Sequence, residues 1–325
     1  MRDHVMVFAP TPLLTVTIEE TGEAGELHLH PGGQGVWQAR MISRLGIRAV
    51  VCASVGGEVG QVLEPLLATE SVDLRLIRRE SNSGGYVHDR RGGRRDVVAD
   101  VPGRPLSRHE LDELYGLALA EGLLAPVSVL SGPGDPELVP ADVYRRLSAD
   151  LGTNGSQVVA DLSGEHLAAV LDSGLCFLKV SDEELVRDGR AADDSDDSLG
   201  AALHELHDAG AEATVITRAE KPALALLEGE VLNVHMPRLQ AAEPKGAGDS
   251  MTAGVAAVLA AGGDIRTAVR TGAAAGALNV TRHGLGTGRR DAVAGLVERV
   301  RLVPAGESRQ ERTTPDVLAD RTTRS

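Results

Sequence analysis

The residues best placed to do chemistry lie in one short run, Pro244-Lys245-Gly246-Ala247-Gly248-Asp249-Ser250-Met251, which leads into TAGVAAVLAAG, a helix of small residues. Glycines just ahead of a helix expose consecutive backbone N–H groups, and the helix dipole adds partial positive charge there, so an anion is stabilised. A phosphoryl group in transit is such an anion. Asp249 follows the last glycine, where its carboxylate would take the proton of an acceptor hydroxyl as the oxygen attacks phosphorus. The amides of Gly246, Ala247 and Gly248 would hold the transferring charge. The competing reading makes Asp249 a helix N-cap and the glycines no more than a tight turn. The pattern G-x-x-x-x-G-K-[ST] is absent, so a Walker-type NTPase is not supported.

A second glycine run, Pro31-Gly32-Gly33-Gln34-Gly35, precedes the helix VWQARMISRLG. Such a run either lets the backbone come close to a ligand or turns the chain after a hairpin. Neither run gives G-x-G-x-x-G directly after the first strand, which argues against a nicotinamide-dependent enzyme.

Both runs need elements to hold them. Short apolar stretches read as buried strands at Val5 to Ala9, Ala49 to Ala53, Val127 to Leu130, Gln157 to Asp161, Cys176 to Val180 and Ala213 to Thr217. Helix-like segments follow most of them, at Gln34 to Leu45, Glu58 to Glu70, Ala141 to Asp150, Ser195 to Ala209 and Ser250 to Ala261. This alternation is the signature of βαβ units around a parallel sheet, the α/β class. Residues 14 to 30 and 83 to 100 instead alternate apolar and polar around glycine turns, so each reads as a hairpin with one exposed face. Paired, they would form a small β-sheet lid that excludes water from the reaction. The organisation expected is an α/β core over 1–13, 31–82 and 101–304, a lid over 14–30 and 83–100, and a disordered tail over 305–325.

Composition agrees. Only 2% of the 325 residues are aromatic, so the core must be built from small aliphatic layers. A net charge of −14 repels polyanions, so neither nucleic acid nor an anionic membrane is an expected partner. The one basic cluster, Arg90, Arg91, Arg94 and Arg95, reads as a solvated hairpin tip or an anion contact, and Asp188 to Asp197 as an acidic surface loop. Cys52 and Cys176, each isolated in an apolar segment, suit buried thiols in a reducing compartment. No apolar run reaches transmembrane length, and the N-terminal segment carries no cleavage signal, so a cytoplasmic location is expected.

Together these segments resemble the PfkB/ribokinase family of carbohydrate kinases, most closely its branch of 1-phosphofructokinase-like and tagatose-6-phosphate kinase-like enzymes. The resemblance covers about residues 5 to 295, through PGGQG, ARMISRLGIRAVVCASVGGEVG, LSGPGDPELVPADVY, VVADLSGEHL, FLKVSDEEL, VITRAEKPA and GAGDSMTAG. It implies a ribokinase-like, mostly parallel central sheet flanked by helices, a β-lid that often pairs two subunits into a homodimer, and MgATP as donor. It further implies that Asp249 is the catalytic base and Gly246 to Gly248 the anion hole. Glu184 matches the acidic residue that helps organise Mg2+ through water, and Lys179 precedes it in the strand-end motif. Thr217 falls where the family contacts nucleotide phosphates, and Asn279 near the expected adenine site. The acceptor side, with Thr15, Gly32, Gly33, Gln34 and Trp37, departs from the phosphosugar branch. Gln34 stands for a lysine, Trp37 for an asparagine, Thr15 for an aspartate, Gly84 for a lid arginine and Pro133 for a serine. Losing lysine, arginine and serine together removes the charge-assisted bonds a phosphomonoester needs, so the acceptor expected is a sugar, polyol or nucleoside other than the usual hexose phosphates. Trp37 would stack on a sugar or base face, shrink the pocket, or pack the lid, and Arg90 or His88 could replace the lost cation. On the donor side Arg218-Ala219-Glu220-Lys221-Pro222 replaces a glycine turn and Ser181 an asparagine. The alternative to an active kinase is a catalytically weak relative that binds a ligand and acts as a regulatory protein.

Overall fold

The computed structural model describes residues 4–306 apart from 22, 23, 220, 238, 241–244 and 283. Expectations resting on Glu220, Pro244 and the tail beyond Gly306 lie outside the described residues. The first part of the chain runs β1 (His4–Phe8), β2 (Leu13–Thr21), β3 (Ala24–Gly32), α1 (Gln34–Arg44), β4 (Arg48–Gly56), α2 (Gly57–Ala68), β5 (Asp73–Arg79), β6 (Gly84–Asp89) and β7 (Asp96–Val101). It continues through α3 (Arg108–Gly122), β8 (Val127–Ser131), α4 (Ala141–Thr153), β9 (Gln157–Asp161), α5 (Gly164–Leu171), β10 (Phe177–Ser181), α6 (Asp182–Arg187) and α7 (Asp196–Asp208). The last part holds β11 (Thr214–Thr217), β12 (Ala223–Leu227), β13 (Glu230–His235), α8 (Ala247–Ala260), α9 (Ile265–Asn279), α10 (Arg290–Val297) and β14 (Arg301–Pro304).

Ten strands form one sheet in the order β14-β13-β12-β11-β10-β9-β8-β1-β4-β5. From β11 to β5 every neighbouring pair is parallel, and β12, β13 and β14 close the far edge antiparallel. The alternation of side chains along a strand divides the core between the two faces. Val5 and Val7 of β1 pack with α1, α8 and α9 on one side, while Met6 and Phe8 pack with α3 and α4 on the other. The thin layer of Ala, Val and Gly that composition required is most pronounced where α8 meets α9. A Cβ on Gly272 would stand 2.5 Å from the Met251 carbonyl oxygen, and one on Gly276 would stand 2.9 Å from that of Ala247, so α9 lies directly against the first turns of α8.

The two predicted hairpins form, and they join in a separate sheet of order β3-β2-β6-β7. The junction is the parallel pair β2 and β6, with Thr15 beside Tyr86 and Thr17 beside His88. Its apolar side leaves Leu27 63%, Leu29 41% and Val101 59% exposed.

Three local expectations need correction. The helix expected from Ser250 starts at Ala247, with Gly246 as its N-cap at φ 77°. Only glycine enters that left-handed region without a Cβ penalty, and this lets the chain turn directly into the helix. Asp249 is therefore the third residue of α8 and not its cap. The acidic segment Asp188 to Asp197 is a loop only as far as Ser195, which caps α7 by accepting from the Ser198 amide. The basic hairpin tip divides, because Arg91 and Arg94 are exposed while Arg90 and Arg95 are partly buried and turn toward the cleft. No helix among the described residues is long and apolar enough to cross a membrane.

Candidate active site

Parallel strands present their carboxyl ends to one crevice, and there the charged residues of this fold collect. Ser131 ends β8, Asp161 ends β9, Thr217 ends β11, and Lys179 lies two residues before the end of β10. Asp161, 2% exposed, is the centre of a buried network. Its Oδ1 accepts from Lys179 Nζ at 3.0 Å, and its Oδ2 accepts from Gln38 Nε2 at 2.9 Å and Thr252 Oγ1 at 3.0 Å. Gln38 Oε1 in turn accepts from Ser131 Oγ at 2.5 Å, and the Ser131 carbonyl accepts from Tyr144 Oη at 2.8 Å. A carboxylate that receives an ammonium and two further donors is stable in a low-dielectric interior, and its partners are locked in place.

Asp249 sits above this network at the N-terminus of α8. The first amides of a helix have no acceptor within it, and no side chain among the described residues caps this end, so the N–H groups of Ala247, Gly248 and Asp249 suit an anion. Lys179 passes beneath, so close that a Cβ on Gly248 would stand 2.8 Å from its Nζ. Burial opposes the Lys179 charge, but the carboxylates of Asp161, Glu184 and Asp249 outweigh it and hold the pKa above that of an ordinary lysine. For Asp249 burial comes first and the Asp161 carboxylate second, and together they push its pKa up to about 7 against the ammonium groups of Lys179 and Lys245. A carboxylate poised near neutrality is the type of group that general base catalysis uses.

A pfkB family carbohydrate kinase pattern matches residues 5–292. The chain belongs to this family. Among relatives of this pfkB carbohydrate kinase, the ATP-dependent 6-phosphofructokinase isozyme 2 of Mycobacterium tuberculosis is 28% identical over 310 residues, 91% of this chain and 90% of its own. The 1-phosphofructokinase of Bacillus subtilis is 24% identical over 260 residues, 79% of this chain and 84% of its own. A crystal structure of a phosphofructokinase-2 mutant from Escherichia coli superposes with a TM-score of 0.80 at 25% identity, covering 91% of this chain and 99% of that one.

Within this pfkB kinase the remaining candidates fall in different places. Glu184 is at the third position of α6, where its Oε2 accepts from the amide and hydroxyl of Ser181, both at 2.8 Å, in a capping box. Its other oxygen accepts no hydrogen bond among the described residues, which leaves it able to hold a water on a cation. Thr217 Oγ1 donates to the Val180 carbonyl at 3.4 Å. Asn279, 1% exposed, spends its side chain inside the protein. Its Nδ2 donates to the Lys245 carbonyl at 2.9 Å and its Oδ1 accepts from the Gly286 amide at 2.9 Å, so it ties the catalytic turn to the loop after α9. The turn after Thr217 is held by Arg218, whose Nε donates to the Pro222 carbonyl at 2.7 Å and whose Nη1 pairs with Asp196.

The acceptor-side residues separate into two groups. Gly33 and Gln34 border a crevice of about 30 Å³ with Gly132, Pro133 and Gly134. Thr15 and Trp37 line a larger cleft of about 500 Å³ between the lid and α1, together with His88, Arg90 and Arg95. Gly32 lies beneath Thr15, whose Oγ1 would be 2.4 Å from a Cβ there. Sequence reading placed Asp161 and Lys179 in motifs but missed the network they share with Gln38 and Thr252. The available signal was polar residues at the ends of otherwise apolar segments, Asp161 closing VVAD and Gln38 inside VWQARM.

Proposed function

We propose that this carbohydrate kinase transfers the terminal phosphoryl group of ATP to a hydroxyl of a small carbohydrate-like acceptor that is not one of the usual hexose phosphates. The observation that carries the reading is the position of Asp249, a carboxylate with a pKa of about 7 in the same helical turn as uncapped amides. Asp249 takes the hydroxyl proton as the acceptor oxygen attacks, and the N-terminus of α8, including the Gly246 to Gly248 turn, stabilises the charge on the transferring group. Lys179 adds positive potential under Gly248, and Thr217 borders the phosphates from the end of β11. The relatives' names support ATP as the donor. Magnesium, which keeps several waters and binds through few carboxylates, fits the Glu184 oxygen left outside the capping box. Bound there, it would neutralise phosphate charge.

The acceptor claim rests on what stands where a phosphate would need cations. Gln34 Oε1 accepts from the Gly132 amide at 2.7 Å, so its side chain is engaged with the protein. Gly84 carries no side chain, and a Cβ there would already crowd the Gly103 amide nitrogen and the Val101 carbonyl oxygen, each at 3.0 Å. The Pro133 carbonyl accepts from the Thr11 hydroxyl. The crevice that Gln34 and Pro133 border, about 30 Å³, has room for a water or two but not for a phosphoryl group. A sugar or polyol would instead lie in the larger cleft against Trp37.

A second reading is favoured by the charge of that cleft. Arg44, Arg90 and Arg95 line it, as does Arg40 paired with Glu70, in a protein of net charge −14. An acceptor whose acidic group reaches those arginines would recover the lost phosphate contacts. ATP consumption measured against sugars, polyols, nucleosides and sugar phosphates, with Asp249→Asn as control, separates the readings. Turnover confined to neutral acceptors supports the first. Efficient phosphorylation of fructose 1-phosphate or fructose 6-phosphate overturns it, and no turnover above the control overturns the kinase reading in favour of a ligand-binding regulator.

The lid also supports a homodimer. Leu27, Leu29 and Val101, which the strand registers place on one face of the small sheet, are all exposed, an apolar face of the kind that pairs subunits. Leu27→Glu should lower the mass measured by sedimentation from dimer to monomer, and an unchanged mass would exclude pairing through this face.

A further inference from the structure

Lys245 stands immediately before the N-cap of the catalytic helix, and its ammonium lies between two aromatic rings. It is 4.9 Å from the centroid of Tyr86 on β6 of the lid and 5.6 Å from that of Trp37 on α1. With one tryptophan, three tyrosines and two phenylalanines in the whole chain, two of these rings on a single cation are a concentration that composition does not explain. Both separations are within the range over which a ring's negative face attracts a cation. We propose that Lys245 is a positioning residue that latches the lid to the catalytic turn, with Tyr86 as the lid half of the latch and Trp37 as the fixed half. The proposal rests on the kinase reading and adds a function for Lys245 and Tyr86, which that reading leaves without one.

The connection to chemistry is geometric and electrostatic. The Lys245 carbonyl is held by Asn279 Nδ2 at 2.9 Å, so the backbone of this residue is fixed while its side chain reaches the lid. The next residue, Gly246, caps α8, and Asp249 Oδ2 is 3.6 Å from where a Gly246 Cβ would be. Four charged groups face Asp249: Asp161 from β9, Glu184 from α6, Lys179 from β10 and Lys245 from the turn itself. Three of these belong to elements of the core. Lys245 alone is also held by the lid. When the lid is seated, Tyr86 keeps the ammonium near Asp249, which favours the ionised carboxylate that can accept a proton. When the lid lifts, one ring departs, the ammonium is solvated and screened, and Asp249 binds a proton more readily. More of the base would then be ionised in the state that excludes water.

The sole tryptophan lies in the latch, so its fluorescence reports the contact without any acceptor. Adding MgATP to the full chain should shift the Trp37 emission, and Lys245→Met and Tyr86→Leu should each abolish that shift. With the best acceptor of the panel, both variants should lose about tenfold in kcat/KM at neutral pH. Their acid limb should move to higher pH, because an ammonium that favours the carboxylate has been removed or released. Lys245→Arg and Tyr86→Phe, which retain the cation and the ring, should restore the parent profile. The proposal is overturned if Lys245→Met leaves emission and acid limb unchanged, or if Tyr86→Leu lowers thermal stability and turnover while the acid limb stays in place. Failure of the kinase reading looks different, since the parent would then show no turnover above Asp249→Asn with any acceptor, and the fluorescence arm would still decide whether the latch exists.

Discussion

Lys179 Nζ donates to Asp161 Oδ1 at 3.0 Å while the end of the same side chain lies against Gly248, so one buried ammonium joins the core network to the first turn of α8. The pair is almost fully enclosed, with side-chain exposures of 10% and 3%. Its strength comes from enclosure, because a charge pair in water contributes little.

Removing one member of that pair should be costly. Lys179→Met leaves the Asp161 carboxylate buried with neutral donors only, and we expect about 3 kcal/mol loss in urea unfolding. Lys179→Met combined with Asp161→Asn should recover part of that loss. If the double variant is as unstable as the sum of the singles, the two side chains are not coupled in the folded protein.

On the proposed role as base, Asp249 would set the pH dependence of turnover. Its carboxyl is pushed up to about 7, so kcat/KM should rise with pH through about 7 as the base becomes ionised. Asp249→Asn should lose about 100-fold or more and show no such limb. A limb near the ordinary carboxylate range in the parent enzyme would contradict the burial found here.

The same group affects stability with a definite sign. Its folded pKa of about 7 lies above the unfolded value of 3.8, so the folded state binds the proton more tightly. Its contribution is fully present below the unfolded value and is lost as pH rises through the folded value. Asp249→Asn, which cannot ionise, should therefore melt about 2 °C or more above the parent at pH 8 and show no advantage at pH 4. Equal differences at both pH values would show that Asp249 is not penalised by charge in the folded state.

Asn279 offers a test of how the turn is held. Asn279→Ala removes the bonds to the Lys245 carbonyl and the Gly286 amide and leaves both groups short of a partner, at a cost of about 1–3 kcal/mol. Amide exchange in the segment Lys245 to Gly248 should accelerate, and KM for ATP should increase with it. A higher KM for ATP with unaltered exchange would mean that Asn279 contacts the nucleotide directly.

Several parts of this molecule were legible in its sequence because their cause is local. Gly246, Ala247, Gly248 and Asp249 are consecutive, and glycine is the residue that enters a left-handed turn without strain, so a glycine turn into a helix with a carboxylate beside it could be read directly. Apolar runs such as Val127 to Ser131 and Gln157 to Asp161 appeared as parallel strands where expected, because burial on both faces of a sheet writes itself as a continuous apolar segment. Alternation in residues 14 to 30 and 83 to 100 marked the two hairpins for the same reason, one face wet and one face dry.

The start of α8 could not be read, since glycine and aspartate are weak helix formers and local preference favours a later beginning. Packing of Gly272 and Gly276 against Met251 and Ala247 decides it instead. Gln38, Asp161, Lys179 and Thr252 come from four separate elements, and no spacing rule connects side chains that meet only after the sheet has assembled. Lys245 gives no sign in the sequence that Trp37 and Tyr86 will enclose it. Local backbone chemistry thus determined which groups are present at the turn. Tertiary packing alone decided their protonation and their partners, because desolvation and Coulomb interaction depend on distance in space and not on distance along the chain.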